Sequence, residues 1–141
     1  MVGLDLGKRR VGVAVSDSAG ILAVPSTTVE RVGDDAADRA RLAEAVRELE
    51  AELVVVGLPR SLDGSEGPAA EWARAEAAAL AGLLDVPVEL FDERLTTVSA
   101  HRSLAAAGVK GRNRRKVVDQ VAAAVLLQAW LDGGRGTGTG G

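Results

Sequence analysis

The stretch that decides the fold is VGLDLGKRRVGVAVSD, residues 2–17. Its first part is a short apolar run typical of a buried strand, and its last part alternates valine with small residues, which indicates a second strand. The residues GKRR between the two parts form a tight connection. The stretch therefore predicts a β-hairpin that carries one carboxylate, Asp5, inside an apolar strand, where a charge is costly unless it is compensated.

The rest of the chain alternates between helical and strand patterns. The predicted elements are an edge strand within 21–31, helices over 34–50, 68–84, 97–107 and 117–131, strands over 52–57 and 86–93, and a basic linker over 109–116. This order predicts an α/β fold with a mixed five-stranded sheet, in which a three-strand meander is joined by two parallel strands, flanked by helices on both faces. Residues 1–132 would form one domain, followed by a disordered Gly-rich tail, 133–141.

Composition excludes several kinds of site. The chain has no cysteine, which excludes disulfides, thiolate metal sites and a cysteine nucleophile, and its single histidine, His101, excludes any site that needs two. No run approaches the roughly 18 apolar residues of a membrane span, and no signal peptide is visible. These features predict a cytoplasmic protein without a membrane partner.

Charge is distributed unevenly along the chain. Between residues 30 and 93 there are 16 acids and 6 bases, whereas residues 94–118 contain 7 bases and no acid, although the net charge is only −3. Three further bases, Lys8, Arg9 and Arg10, follow the first strand. The asymmetry is compatible either with an anion-binding face inside an acidic protein or with solvated basic loops.

Three acidic positions stand in apolar surroundings: Asp5, the pair Asp92-Glu93 at the end of a later strand, and Asp119 early in the last helix. Ligands of α/β sheets bind beyond the carboxyl ends of parallel strands, so we expect Asp5, Glu93 and Asp119 to converge there. Three carboxylates without histidine or cysteine suit a hard cation, Mg²⁺ or Mn²⁺. Such an ion would compensate the burial of Asp5 and promote phosphodiester hydrolysis.

Each acid also has a purely structural interpretation. Asp5 could cap the hairpin turn, although an acid with that role usually follows an apolar run rather than interrupting it. Glu93 or Asp92 could pair with Arg94 at the surface, and Asp119 in a first helical turn is favoured by the helix dipole. Only the combination of the three positions favours a metal site.

Four segments together resemble the YqgF/RuvX family: LDLGKRRVGVAVSD (4–17), VVGLPRSLDGSEG (55–67), FDERLTT (91–97) and VDQVAAAVLLQAWLD (118–132). The resemblance covers nearly the whole chain up to about residue 132, with the motifs in order. It implies a ribonuclease H-like fold, which agrees with the predicted element order. It also implies a nuclease, since members are described both as pre-16S rRNA nucleases and as Holliday junction resolvases.

By this resemblance Asp5 corresponds to the first-strand catalytic Asp, Glu93 to the second carboxylate and Asp119 to the helix carboxylate, and the three would hold Mg²⁺ or Mn²⁺. Glu93 is preferred to Asp92 because neighbouring strand residues point to opposite faces. The basic residues are predicted to bind nucleic-acid phosphates in a salt-dependent manner. They are Lys8, Arg9, Arg10 and Arg94 near the carboxylates, and Lys110, Arg112, Arg114, Arg115 and Lys116 in the linker.

The leading hypothesis is a metal-dependent endonuclease that processes the 5′ end of pre-16S rRNA, with a Holliday junction resolvase acting on branched DNA as the alternative. A non-catalytic nucleic-acid-binding module is a hypothesis of another class. The partner would be structured RNA or branched DNA, bound by a monomer or a homodimer. Trp72 and Trp130 lie at helical core spacing and are expected to pack in the core rather than stack on bases.

Overall fold

The computed structural model describes residues 1–61, 63–102 and 112–134, apart from the side chains of 112–114 and 134. Its strands are β1 (Val2–Leu6), β2 (Arg10–Ser16), β3 (Ala23–Glu30), β4 (Val54–Leu58) and β5 (Val88–Asp92). They form one sheet in the order β3-β2-β1-β4-β5. The first three strands are antiparallel, and β4 and β5 continue the sheet parallel to β1. The predicted meander with two parallel strands is confirmed.

The hairpin register decides which face each side chain occupies. Leu4 pairs with Val13, and Asp5 pairs with Gly12. Since successive residues of a strand point to opposite faces, Asp5 and Gly12 share the face opposite to Leu4 and Val13. The outer strand β3 carries Pro25, which donates no ladder hydrogen bond and is tolerated because this strand lies at the edge.

The helices are α1 (Asp35–Glu48), α2 (Pro68–Leu83), a segment α3 described over residues 98–102, and α4 (Arg112–Ala129). Asp34 caps α1, because its side chain accepts a hydrogen bond from the Ala37 N–H. Proline suits the first position of α2, where the missing N–H has no helical partner. Within the described residues, no helix combines the length and apolar character needed to cross a bilayer.

Helices cover both faces of the sheet, as predicted. On one face, Leu4 and Val13 pack with Val46 of α1 and Leu80 of α2 in one apolar core. On the other face, α4 packs on the sheet in a second core that includes Ala14, Val55, Leu127 and Trp130. Both cores use β4, whose residues 54–56 are fully buried. The continuous apolar run in this strand therefore reflects burial on both faces.

The last helix differs from its prediction at both ends. It begins at Arg112 rather than at residue 117, so the predicted basic linker is wrong from residue 112 onward; residues 109–111 lie outside the described part. Arginine and lysine are good helix formers, and no glycine or proline interrupts residues 112–132, so the helix extends through the charged run. A π-helical turn, Trp130–Gly134, then carries the chain two residues into the predicted tail; residues 135–141 are not described.

Candidate active site

Asp5 occupies the site because of where β1 ends. It is the fourth of five strand residues, and only 8% of its surface is exposed. Its register partner Gly12 faces α4, so the Asp5 carboxylate points to the same side of the sheet. The buried carboxylate therefore lies at the carboxyl end of a parallel strand, beneath the last helix.

Gly12 allows α4 to approach the sheet at this point. A Cβ atom added to Gly12 would lie 1.9 Å from the carbonyl oxygen of Asp119, so only glycine leaves room for the helix backbone. This contact brings Asp119 to the strand that neighbours Asp5. The Asp119 carboxylate then accepts a hydrogen bond from Arg10, with 2.7 Å between Nε and Oδ2.

Glu93 reaches the site from the end of β5, the second of the two strands parallel to β1. It opens a 3₁₀ turn, Glu93–Leu95, directly after β5, and is 9% exposed. A Cβ atom on Gly57 of β4 would lie 2.7 Å from Glu93 Oε1, so this glycine leaves the space that the carboxylate fills. The neighbouring Asp92 instead accepts a hydrogen bond from the Arg94 N–H and pairs with the guanidinium groups of Arg94 and Arg60. Of the two adjacent acids, Glu93 faces the site.

Arg102 joins the two buried carboxylates. Its Nη2 atom donates hydrogen bonds to Asp5 Oδ1 and to Glu93 Oε1, the latter at 3.0 Å, while Nη1 donates to Glu93 Oε2 at 3.1 Å. Arg102 is one of the seven bases in residues 94–118 and was not among the predicted phosphate-binding residues. The available signal was helical spacing, because Arg102 lies one turn after Val98, which is buried.

Burial dominates the electrostatics of the site. It raises the pKa of the Glu93 carboxyl to about 7, and the nearby Asp92 carboxylate adds to the rise. Burial also lowers the pKa of Arg102, while the negative charge of Asp119 acts in the opposite direction. The two carboxylates are therefore poorly solvated, and both contact the guanidinium of Arg102.

The donor set fits a hard divalent cation in part. A single guanidinium nitrogen contacts both Asp5 and Glu93, so their oxygens lie within reach of one positive centre. Oxygen ligands of this kind suit Mg²⁺ or Mn²⁺. Among the residues that the structure describes, however, no three acids or histidines are grouped closely enough to hold an ion, since Asp119 is turned towards Arg10.

A cleft of about 670 Å³ unites the three predicted carboxylates. It runs past the carboxyl ends of β1 and β4, where Asp5, Glu93, Arg102 and Asp119 line it together with Lys8. Other parts of its wall are apolar and come from the start of α2 and the loop before it. The three predicted carboxylates and the basic side chains of Lys8 and Arg102 thus line one cavity.

The family model and the sequence relatives agree on one family. A family model described as "RuvX: Holliday junction resolvase" matches residues 1–133. A protein of Mycobacterium sp. (strain KMS) named "Putative pre-16S rRNA nuclease" is 54% identical over 132 residues, which cover 93% of this chain and 78% of that protein. The chain belongs to the RuvX family. A RuvX relative of the same name from Myxococcus xanthus (strain DK1622) is 53% identical over 134 residues, 95% of this chain and 88% of the relative.

Solved structures place this RuvX chain in a known fold. The structure titled "T. thermophilus RuvC in complex with Holliday junction substrate" matches with a TM-score of 0.55 at 18% identity, covering 94% of this chain and 96% of that one. A second, titled "Thermus thermophilus RuvC structure", gives a TM-score of 0.56 at 18% identity and covers 95% and 97%. At this identity the likeness concerns the fold alone, and it confirms the predicted ribonuclease H-like class.

The structure divides the predicted basic residues of the RuvX chain into groups. Lys8 lines the cleft, and with Arg9, Arg10 and Arg115 it also lines an adjoining groove of about 490 Å³. Arg94 pairs with Asp92 and lines a different depression, so it is not brought into the cleft. Lys116 pairs with Glu30, also outside the cleft. Lys110 and the side chains of Arg112 and Arg114 lie outside the described residues.

Proposed function

We propose that this chain is a divalent-metal-dependent endonuclease that hydrolyses a phosphodiester bond near the 5′ end of pre-16S rRNA. The observation that carries the proposal is the pair of buried carboxylates, Asp5 and Glu93, that share one cationic nitrogen at the carboxyl end of the parallel strands. The names of relatives that are more than 50% identical support the substrate. A cytoplasmic location is part of the proposal.

In this mechanism Asp5 and Glu93 would hold Mg²⁺ or Mn²⁺, and Asp119, which pairs with Arg10 in the structure, would be the third carboxylate available to the ion. The ion would polarise the scissile phosphate, activate water and stabilise the leaving oxygen. Arg102, whose guanidinium contacts both carboxylates and lines the cleft, would help to neutralise the bound phosphate. Lys8 binds a neighbouring phosphate at the rim of the cleft.

The basic groove next to the cleft would extend the binding surface along the nucleic-acid backbone. Lys8, Arg9 and Arg115 line it with Arg10, and Glu30, which also lines the groove, pairs with Lys116. Protein binding to a nucleic-acid backbone releases cations that were condensed on the phosphates. Because this release becomes less favourable as the salt concentration rises, the binding affinity falls steeply. The chain would therefore bind structured nucleic acid with modest dependence on base sequence.

A Holliday junction resolvase is the second candidate, favoured by the description of the family and by the RuvC-like fold. Cleavage of a four-way junction at paired positions needs two active sites, so this function would require a symmetric homodimer. We prefer an RNA substrate to a DNA junction because relatives at 53–54% identity are named as pre-16S rRNA nucleases, whereas the RuvC chains are only 18% identical. A monomer suffices for the RNA reaction.

A cleavage panel tests the proposal. Purified protein is incubated with the precursor 5′ end of 16S rRNA, the mature 5′ end, a DNA copy of the precursor and a four-way DNA junction, each with Mn²⁺, with Mg²⁺ and with EDTA. We expect cleavage of the precursor RNA only when a divalent ion is present. Cleavage of the junction alone would favour the resolvase, and binding without any cleavage would favour a non-catalytic binding module.

The two adjacent acids at the end of β5 provide a matched comparison. Glu93→Gln should reduce cleavage about a hundredfold or more, because it removes a charge that would ligate the ion. Asp92→Asn makes the same chemical change one residue away, where the side chain pairs with Arg94 and Arg60, and should retain most of the activity. Single-turnover rates under saturating Mn²⁺ measure both. A larger loss for Asp92→Asn than for Glu93→Gln would show that Asp92 is the ligand.

A further inference from the structure

The two tryptophans of the chain occupy different environments. Trp130 is 5% exposed and lies in the core on the α4 face, where its Nε1 donates a hydrogen bond to Glu89. Trp72 is only partly buried and lines the cleft that contains the three carboxylates. The prediction that both pack in the core is therefore wrong for Trp72.

A buried ionic network supports the ring of Trp72. The Arg31 guanidinium carbon lies 5.2 Å from the ring centroid, and the Arg31 side chain is 7% exposed. Glu76 forms ion pairs with both Arg31, at 2.9 Å, and Arg39, at 2.5 Å, and its own side chain is 3% exposed. Arg31 Nε also donates a hydrogen bond to the Gly7 carbonyl oxygen at 2.7 Å, which ties the ring to the turn beyond Asp5.

The contacts of Arg31 indicate which role Arg31 and Trp72 can each have in the cleft. The ion pair with Glu76 and the hydrogen bond to the Gly7 carbonyl oxygen fix the Arg31 side chain, so its guanidinium serves to hold the tryptophan. Pro68 and Ala69 lie beside Trp72 in the cleft wall and add apolar surface without hydrogen-bonding groups. A flat, immobilised aromatic ring within an apolar wall is suited to a planar base rather than to a phosphate.

We propose that Trp72 is a stacking platform for an unpaired base next to the scissile phosphate, an inference that rests on the proposed nuclease function. In a continuous duplex the faces of each base are covered by its neighbours, so a base reaches an aromatic side chain only where the strand is single or splayed. The cleft thus selects an unpaired nucleotide on one side of the cleaved bond, and duplex segments bind outside it.

Single abasic substitutions test this inference. A single-stranded RNA that the protein cleaves is compared with versions that carry one abasic residue at each position flanking the cleaved bond. In wild-type protein, one of these substitutions should lower kcat/KM about tenfold, the size expected for one lost stacking contact. Trp72→Leu should lower kcat/KM for the intact RNA by a similar factor and become insensitive to the abasic residue. Trp72→Phe should restore most of the rate and the sensitivity.

Fluorescence gives a readout that a merely structural role of Trp72 would not affect. The chain has two tryptophans and no tyrosine, so the emission difference between wild type and Trp72→Leu belongs to Trp72. In EDTA, the intact RNA should quench this emission more than the abasic RNA at equal occupancy, as measured by anisotropy. Lys8→Ala should weaken binding of both RNAs equally, because it affects a phosphate contact.

The possible failures are distinguishable. If wild-type protein binds and cleaves intact and abasic RNA equally, or if Trp72→Leu keeps the abasic sensitivity, the stacking role is wrong and the nuclease function stands. If wild-type protein neither binds nor cleaves any nucleic acid with Mn²⁺, the proposed function is wrong and the stacking role falls with it.

Discussion

Asp5→Asn should lower metal-dependent cleavage about a thousandfold, which corresponds to about 4 kcal/mol of lost transition-state stabilisation. The substitution keeps the shape of the side chain but removes the charge that would ligate the ion from β1. The fold should be retained, because Arg102 still pairs with Glu93 and its side chain is 37% exposed. We expect the free energy of unfolding, measured in urea, to fall by about 2 kcal/mol, because the buried side chain loses a charge-assisted hydrogen bond.

A matched control for this prediction is Asp85→Asn. It makes the same chemical change on an exposed carboxylate between α2 and β5, away from the cleft, and should cleave like wild type. Circular dichroism of both variants would establish that the comparison concerns folded protein. If Asp5→Asn cleaves at the rate of Asp85→Asn, the assignment of Asp5 as an ion ligand is wrong.

Among the glycines that the structure describes, Gly12 should be the one least able to accept an added methyl group. The added carbon would lie 1.9 Å from a backbone oxygen and 2.3 Å from a backbone carbon of Asp119, so helix α4 must move away from the sheet. Overpacking against backbone atoms should reduce the free energy of unfolding by about 3 kcal/mol. Because the same helix carries Asp119, cleavage should fall along with stability, and both are measured on one preparation.

Gly82→Ala provides the matched comparison for this effect. Gly82 lies in α2, is exposed, and an added Cβ would meet nothing within 4 Å. In a helix this change should raise the free energy of unfolding by about 0.5–1 kcal/mol. Equal stabilities of Gly12→Ala and Gly82→Ala would contradict the close approach of α4 to β2.

Much of the fold could be predicted from patterns that are local in the sequence. The hairpin around GKRR, the fully buried valine run of β4 and the edge strand with Pro25 each follow from a few neighbouring residues. The start of α4 was predicted too late, because the charged run was taken for a solvated linker although its arginine and lysine residues favour a helix.

The site was predictable only in its acidic members. Asp5, Glu93 and Asp119 are candidates because charges in apolar runs are rare, and all three line the same cleft. Arg102 and Trp72 carry no such signal, since a basic residue and an aromatic residue on helices are ordinary. Their positions in the cleft depend on which side of each helix faces the end of the sheet, and this is a property of tertiary packing. The pairing of Asp119 with Arg10 joins residues 109 apart in the chain and has no local signature.

The bridge from Arg102 to Asp5 and Glu93 has a consequence for how folding is linked to ion loading. Since the two acids carry an internal counterion, the chain can reach its native state without a metal, and chelation should not unfold it. In the proposed function, loading would exchange one cation for another. Such an exchange would gain less free energy than filling a vacant acidic site, so the fraction of protein with a bound ion would depend on the ambient ion concentration. The metal-free protein would thus remain folded, and its activity would rise with the concentration of divalent ions around it.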